Sequence, residues 1–215
     1  MSKCKYQLLA EEISTDGGVT WTRTGNTRKG ALIEFGSNDC SMRIDATLSN
    51  GTTAQIPCTS STYTSSAISR SEVTSISNYQ LMTDVEVGGC VSSVGAGAFS
   101  GLSLSSVTVE EGVTTIQGQA FRYNPNMKRV DLPSTLTSIA NYGFQIPTGS
   151  TATQWDTLIV RATTPPTIYS SSIQHNNSAG VPFSIYVPDA SVNTYKSTTY
   201  WSNFSSNIKG ISTLT

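Results

Sequence analysis

The chain reads as mainly β: a short N-terminal β-hairpin region, then a solenoid of repeats, then a small helical cap at the C-terminus. Three observations predict this. Apolar residues return in the same slots about every two dozen positions, the mark of stacked repeats. The slots hold Val85, Val87, Val91, Val94 and Phe99, then Val107, Val109, Val113, Ile116 and Phe121, then Val130, Leu132, Leu136, Ile139 and Phe144. Hairpin turn signals precede the repeats. Finally, the chain is 37% hydrophobic but only 13% charged, and it is rich in Ser and Thr, a balance that suits β-structure.

Residues 1–70 lie outside the repeat and form the expected N-terminal, anchoring region. Tyr6 to Ile13 is a strand candidate, and Asp16-Gly17-Gly18 supplies a hairpin turn. Ala31–Phe35 is a further strand. Met42–Leu48 and Thr53–Ile56 flank Asn50-Gly51, which provides the positive φ angles of a tight hairpin.

Residues 71–215 carry the repeats and the cap. Val73-Thr74-Ser75-Ile76 has the form of Val113-Thr114-Thr115-Ile116 and reads as a truncated first coil. In Val107-Thr108-Val109 alternation turns both valines inward and Thr108 outward. Val113 and Ile116 then face the core from the opposite wall. Phe99, Phe121 and Phe144 close successive coils and should stack as a spine. Leu158-Ile159-Val160 and Ile185-Tyr186-Val187 refill the strand slot after a looser stretch at 146–154. Pro188 to Lys196 reads as a short helix with Asp189 as its N-cap. Val192, Tyr195, Trp201 and Phe204 should pack over the last coil, and Ile208 and Ile211 should form a final extended piece.

Several function classes are disfavoured. A formal net charge of −1 offers no basic field for nucleic acid. No run is long and apolar enough to insert in a membrane, and the N-terminus lacks the apolar core of a secretory signal. Cys4, Cys40, Cys58 and Cys90 form no CxxC pair and no zinc pattern. Four reduced thiols are expected, with a Cys40–Cys58 bridge as the alternative. No metal site and no cofactor are implied, since Walker, dinucleotide and EF-hand motifs are absent.

The stretch Val130-Asp131-Leu132-Pro133-Ser134-Thr135-Leu136-Thr137-Ser138-Ile139 resembles the repeats of the BspA-like leucine-rich repeat family. So does the tail, with Thr164-Pro165-Pro166, Ile185-Tyr186-Val187-Pro188-Asp189-Ala190 and Trp201-Ser202. The resemblance covers roughly residues 71–211. It departs at Gly143, where the family has Ala before the aromatic residue. It implies a leucine-rich-repeat solenoid found in gut Bacteroidetes-type bacteria, usually exported, and in their phages after short β-regions. With no export signal visible, the expected role is a virion component in tail, baseplate or fibre. Its expected partners are other virion proteins, and a host surface protein or glycan, within a homo- or hetero-oligomeric assembly. A bacterial cell-surface adhesin or glycan-binding module is the alternative.

No enzyme is expected. Ser14-x-Asp16-x-Gly18-x-Thr20-Trp21 matches an Asp-box, which is a folding motif. His175, the sole histidine, lies among Gln174, Asn176 and Asn177 with no triad around it. Glu110 and Glu111, neighbours at a turn, should point apart. What remains is the outward strand face. Glu86, Thr108, Asp131, Ile159 and Tyr186 should form one ladder. Asp84, Ser106, Arg129, Thr157 and Ser184 should form a second beside it. These two rows are the candidate binding surface.

Overall fold

The computed structural model describes residues 5–7, 12–13, 22–23, 32–34, 42–58, 64–145, 156–174 and 183–214. The Asp-box turn, His175, Cys4, Cys40 and the stretch 146–154 lie outside these residues. Contacts divide the chain into two compact units, Met1–Asp39 and Cys40–Thr215.

The first unit contains two antiparallel pairs. β1 (Lys5–Gln7) pairs with β4 (Leu32–Glu34). β2 (Glu12–Ile13) pairs with β3 (Thr22–Arg23) across the segment that holds the Asp-Gly-Gly signal.

The second unit opens with the Asn-Gly hairpin. β5 (Met42–Leu48) and β6 (Thr53–Pro57) pair antiparallel, with Gly51 at φ +81° in the turn. The hairpin is hydrogen-bonded into the repeat sheet, because β5 also pairs antiparallel with β8 (Met82–Val87). From β8 onward the neighbours run parallel: β10 (Ser106–Val109), β12 (Arg129–Leu132), β15 (Thr157–Val160), β17 (Ser184–Val187) and β18 (Ile208–Gly210). Together these make an eight-stranded sheet. A second, parallel sheet holds β7 (Thr64–Ile68), β9 (Val91–Val94), β11 (Thr115–Ile116) and β13 (Ser138–Ile139). The last parallel pair is β14 (Phe144–Gln145) with β16 (Ile173–Gln174).

The register follows the apolar period. Val85, Val107, Val130, Leu158, Ile185 and Ile208 are successive partners across the large sheet, and all are buried. Ile68, Val94, Ile116 and Ile139 do the same in the second sheet. Between the sheets Phe99, Phe121 and Phe144 stack, with centroids 5.2 and 5.0 Å apart and planes 4° from parallel. Burying each ring contributes about 2–3 kcal/mol.

Asn124, also buried, ties this spine to the backbone. Its Nδ2 donates to the carbonyl oxygens of Phe99 and Phe121, each at 2.9 Å, and its Oδ1 accepts from the Leu104 amide. Gly143 stands where Ala98 and Ala120 stand in earlier repeats. A Cβ there would lie 2.7 Å from Ile139 Cγ2, which explains the departure from Ala.

The turns around Phe99 and Phe121 take left-handed backbone two residues before the ring and two after. In the first repeat Gly97 and Gly101 take these conformations. In the next they fall to Gln119 (φ 62°) and Tyr123 (φ 59°), and in the third Tyr142 (φ 59°) takes the leading position. Left-handed backbone costs a residue with a Cβ about 1–2 kcal/mol.

Three expectations are corrected. Val73–Ile76 is not a coil strand. Arg70–Ser75 forms a helix, α1, closed by a capping box in which the Ser69 side chain accepts from the Glu72 amide and Glu72 accepts from the Ser69 amide. The strand partner of Val94 is instead Ile68. Asp189 is not the cap of the terminal helix α2 (Val192–Ser197). It begins a 3-10 turn, Asp189–Ser191, and accepts from Ser212 Oγ at 2.6 Å. Ile208 is extended, but Ile211–Thr213 is a 3-10 turn.

The C-terminal aromatic residues pack as expected. Tyr195 and Trp201 are fully buried, edge-to-face at 5.0 Å. Their polar tips are satisfied: Tyr195 Oη donates to Ala162 O at 2.7 Å, and Trp201 Nε1 to Pro166 O at 2.8 Å. Val192 and Phe204 lie partly buried against the core.

Cys58 and Cys90 form a disulfide, with Cα atoms 6.4 Å apart. Neither is a reduced thiol, and Cys58 is not bonded to Cys40. The bridge joins the end of β6 to the start of β9.

Candidate functional site

In a sheet, residues facing one way align across strands in register. The first expected ladder is present: Glu86, Thr108, Asp131, Ile159 and Tyr186 are successive partners. The structure extends it. Asp45 and Gln55 precede Glu86, and Lys209 follows Tyr186. The second ladder runs Asp84, Ser106, Arg129, Thr157 and Ser184, with Thr47 added before Asp84.

One member does not present itself. Ile159 aligns with the ladder but is fully buried, and it lies outside the main core cluster. The ladder's expected apolar contact point is therefore unavailable. Asp131 is also largely covered, at 9% exposure.

The face is electrostatically uneven. Asp131 is held by Arg161 through two hydrogen bonds of 2.7 Å, from Nε to Oδ1 and from Nη2 to Oδ2. This fork-to-carboxylate geometry is the strong form of the pair. Arg129 approaches the same carboxylate at 3.6 Å. Asp84 accepts from Ser105 Oγ at 3.1 Å and from Ser106 Oγ at 2.5 Å. Burial pulls its pKa up, but these hydroxyls outweigh burial and hold it below the usual carboxylate range.

A carboxyl pair sits between these two acids. Glu86 and Glu110 act on each other's titration. Burial and the charge of Asp45 push Glu86 up. Burial, then the charges of Glu86, Asp131 and Glu111, push Glu110 up to about 7, opposed by Arg161. Glu111 points elsewhere, as expected of these neighbours. It accepts from the Ser134 amide and hydroxyl, both at 2.8 Å, and bridges successive repeat turns.

Glu110 was absent from the expected rows, yet simple alternation reveals it. Val107 and Val109 point inward, so Thr108 and Glu110 point outward. Asp45 and Lys209 carried no such signal, because their strands lie outside the regular period.

A shallow depression of about 280 Å³ lies on this face, lined by Asp45, Thr47, Thr53, Asp84, Glu86, Ser106 and Thr108 among others. Its lining is carboxylate and hydroxyl. Among the described residues no group of three or more His, Cys, Asp or Glu could hold a metal ion. No described helix is long and apolar enough to cross a membrane. The arrangement offers a broad polar surface with an acidic side near the hairpin and cations at Arg161 and Lys209.

Residues 73–156 match the family model of the BspA type leucine rich repeat region, in six copies. Over this stretch the chain is similar to the BspA-type leucine-rich repeats. The match ends just before β15, while the parallel register of the large sheet continues through β18. No curated protein matches the chain. BspA-type repeats support a protein-binding or structural role, and the two ladders are the surface on which they present side chains.

Proposed function

We propose that the chain is a non-enzymatic virion protein of a phage, with the BspA-type repeats wound as a solenoid whose strand face docks partner proteins. The observation that carries the docking role is the continuous strand register from Asp45 to Lys209, which lines up polar side chains on both sides of the buried Ile159. Such a surface suits a broad protein contact better than a small molecule, which favours an enclosed, mostly apolar pocket. The Cys58–Cys90 disulfide supports a working place outside a reducing compartment, and the outside of a particle is one. The order of short β-strands followed by repeats supports the phage assignment, because it resembles phage proteins of that layout. The first unit, Met1–Asp39, would anchor the chain, and the repeat face would meet other virion proteins or a host surface molecule.

The same disulfide favours a second reading, a bacterial cell-surface adhesin. One experiment separates the two. Peptides of this chain should appear in mass spectra of density-purified virions at a stoichiometry fixed against the major tail proteins. Their absence there, with recovery from the surface fraction of uninfected cells, overturns the virion reading in favour of the adhesin.

A further inference from the structure

The turns that follow the second sheet carry a cluster that neither ladder includes. Tyr123 and Tyr142 stand 40% and 36% exposed, and both occupy left-handed backbone. The first repeat has Gly97 and Gly101 at the equivalent positions, where an added Cβ would meet nothing within 4 Å. Side chains at these positions therefore project into open space. Two tyrosine rings are held out at a backbone cost that core burial does not offset.

Arg122 lies with both rings. Its guanidinium carbon is 4.1 Å from the Tyr123 ring centroid and 5.2 Å from that of Tyr142. Nε donates to Gln145 Oε1 at 2.5 Å, Nη1 to Gln119 Oε1 at 3.4 Å, and Nη2 to the Tyr123 hydroxyl. Every acceptor is neutral. Among the described residues Arg122 has no carboxylate partner, and none of residues 117–124, 140–145 and 167–173 is acidic. Three of the five guanidinium N–H donors are used, so two remain. Beside the cluster, Asn141 Oδ1 accepts from Ser171 Oγ at 2.8 Å, while its amide nitrogen has no partner among the described residues.

We infer that this edge binds a saccharide bearing a carboxylate. Arg122, fixed flat by neutral acceptors, offers its remaining donors to the carboxylate. The tyrosine rings offer flat apolar faces to the C–H side of sugar rings. Gln119 and Asn141 supply amides for hydroxyl groups. An acidic peptide would satisfy the same guanidinium, and the hexaglutamate arm of the test below separates it from a saccharide. The inference does not depend on the docking role of the strand face, which lies on other residues.

Calorimetric titration of the full chain with trigalacturonate and sialyllactose, against maltotriose and hexaglutamate, tests it. One of the two acidic saccharides should bind about tenfold or more tightly than both maltotriose and hexaglutamate. Tyr142→Gly and Arg122→Gln should each weaken that binding by about tenfold or more. Tyr142→Gly should leave the melting temperature unchanged or raised, since glycine relieves the left-handed backbone. No binding of either acidic saccharide overturns the inference. So does equal binding of maltotriose or of hexaglutamate, or undiminished binding by folded Tyr142→Gly.

Discussion

Asn124 Nδ2 lies 2.9 Å from the Phe99 carbonyl oxygen, reaching from one repeat into the one before it. The same nitrogen bonds Phe121 O, and Oδ1 takes the Leu104 amide, all out of water. Removing the side chain strands two carbonyls and an amide in the interior. Asn124→Ala should therefore cost about 2–3 kcal/mol. Urea unfolding should show a lower midpoint with an unchanged slope. A loss below about 0.5 kcal/mol, the level of an ordinary surface change, would show that water replaces the side chain there.

Phe121 has a ring stacked on each side, Phe99 at 5.2 Å and Phe144 at 5.0 Å. Phe121→Ala should cost about 3–5 kcal/mol, and Phe121→Leu clearly less, because leucine fills more of the void. Phe121→Ala should be more damaging than Phe99→Ala. Equal losses at Phe99 and Phe121 would mean that burial alone, without stacking, sets the value of these rings.

The Cys58–Cys90 bridge closes a separation of 32 residues. Loop-closure entropy puts its contribution at roughly 3–4 kcal/mol. It holds the hairpin end against the second sheet, where the repeats begin. Dithiothreitol should lower the melting temperature of the native chain by several degrees and leave that of Cys58→Ser/Cys90→Ser nearly unchanged. Non-reducing peptide mapping should recover the two cysteines in one linked fragment. Equal melting with and without reductant in the native chain would refute a stabilising bridge.

The repeat columns were legible in the sequence because a one-residue slip would turn Val107 and Val109 to water and Thr108 to the core. The same alternation placed both ladders, since the face a residue takes follows from its neighbours. Ile159 escaped that logic: alternation gives direction, and what covers the outer face depends on contacts that no period encodes. Val73–Ile76 imitated a repeat segment in apolar spacing, yet Ser69 and Glu72 already spelled a capping box, a local signal that outweighed it. The disulfide was not legible, because Cys58 and Cys90 sit on either side of α1 and meet only once the sheets close. The arginine–tyrosine cluster was hidden for a related reason. Tyr123 and Tyr142 belong to different repeats and come together only through the register.

Glu110 makes the sheet face sensitive to pH. Its pKa is raised from 4.5 to about 7, first by burial and then by Glu86, Asp131 and Glu111, with Arg161 opposing. Between those two values the unfolded chain has released this proton and the folded chain still holds it. Folding therefore binds a proton in that window, and stability falls as pH rises through it. Glu110→Gln removes the titration and keeps a planar hydrogen-bonding group of nearly the same shape. It should be close to neutral at pH 4, where both states of the native chain are protonated. At pH 8 it should stabilise by about 1 kcal/mol, a figure reduced because the carboxyl group is partly solvated. Denaturant unfolding of both chains at the two pH values checks this. Equal stabilisation at pH 4 and pH 8 would show that the gain is one of packing, and that the crowded acids Glu86, Asp131 and Glu111 do not govern this proton.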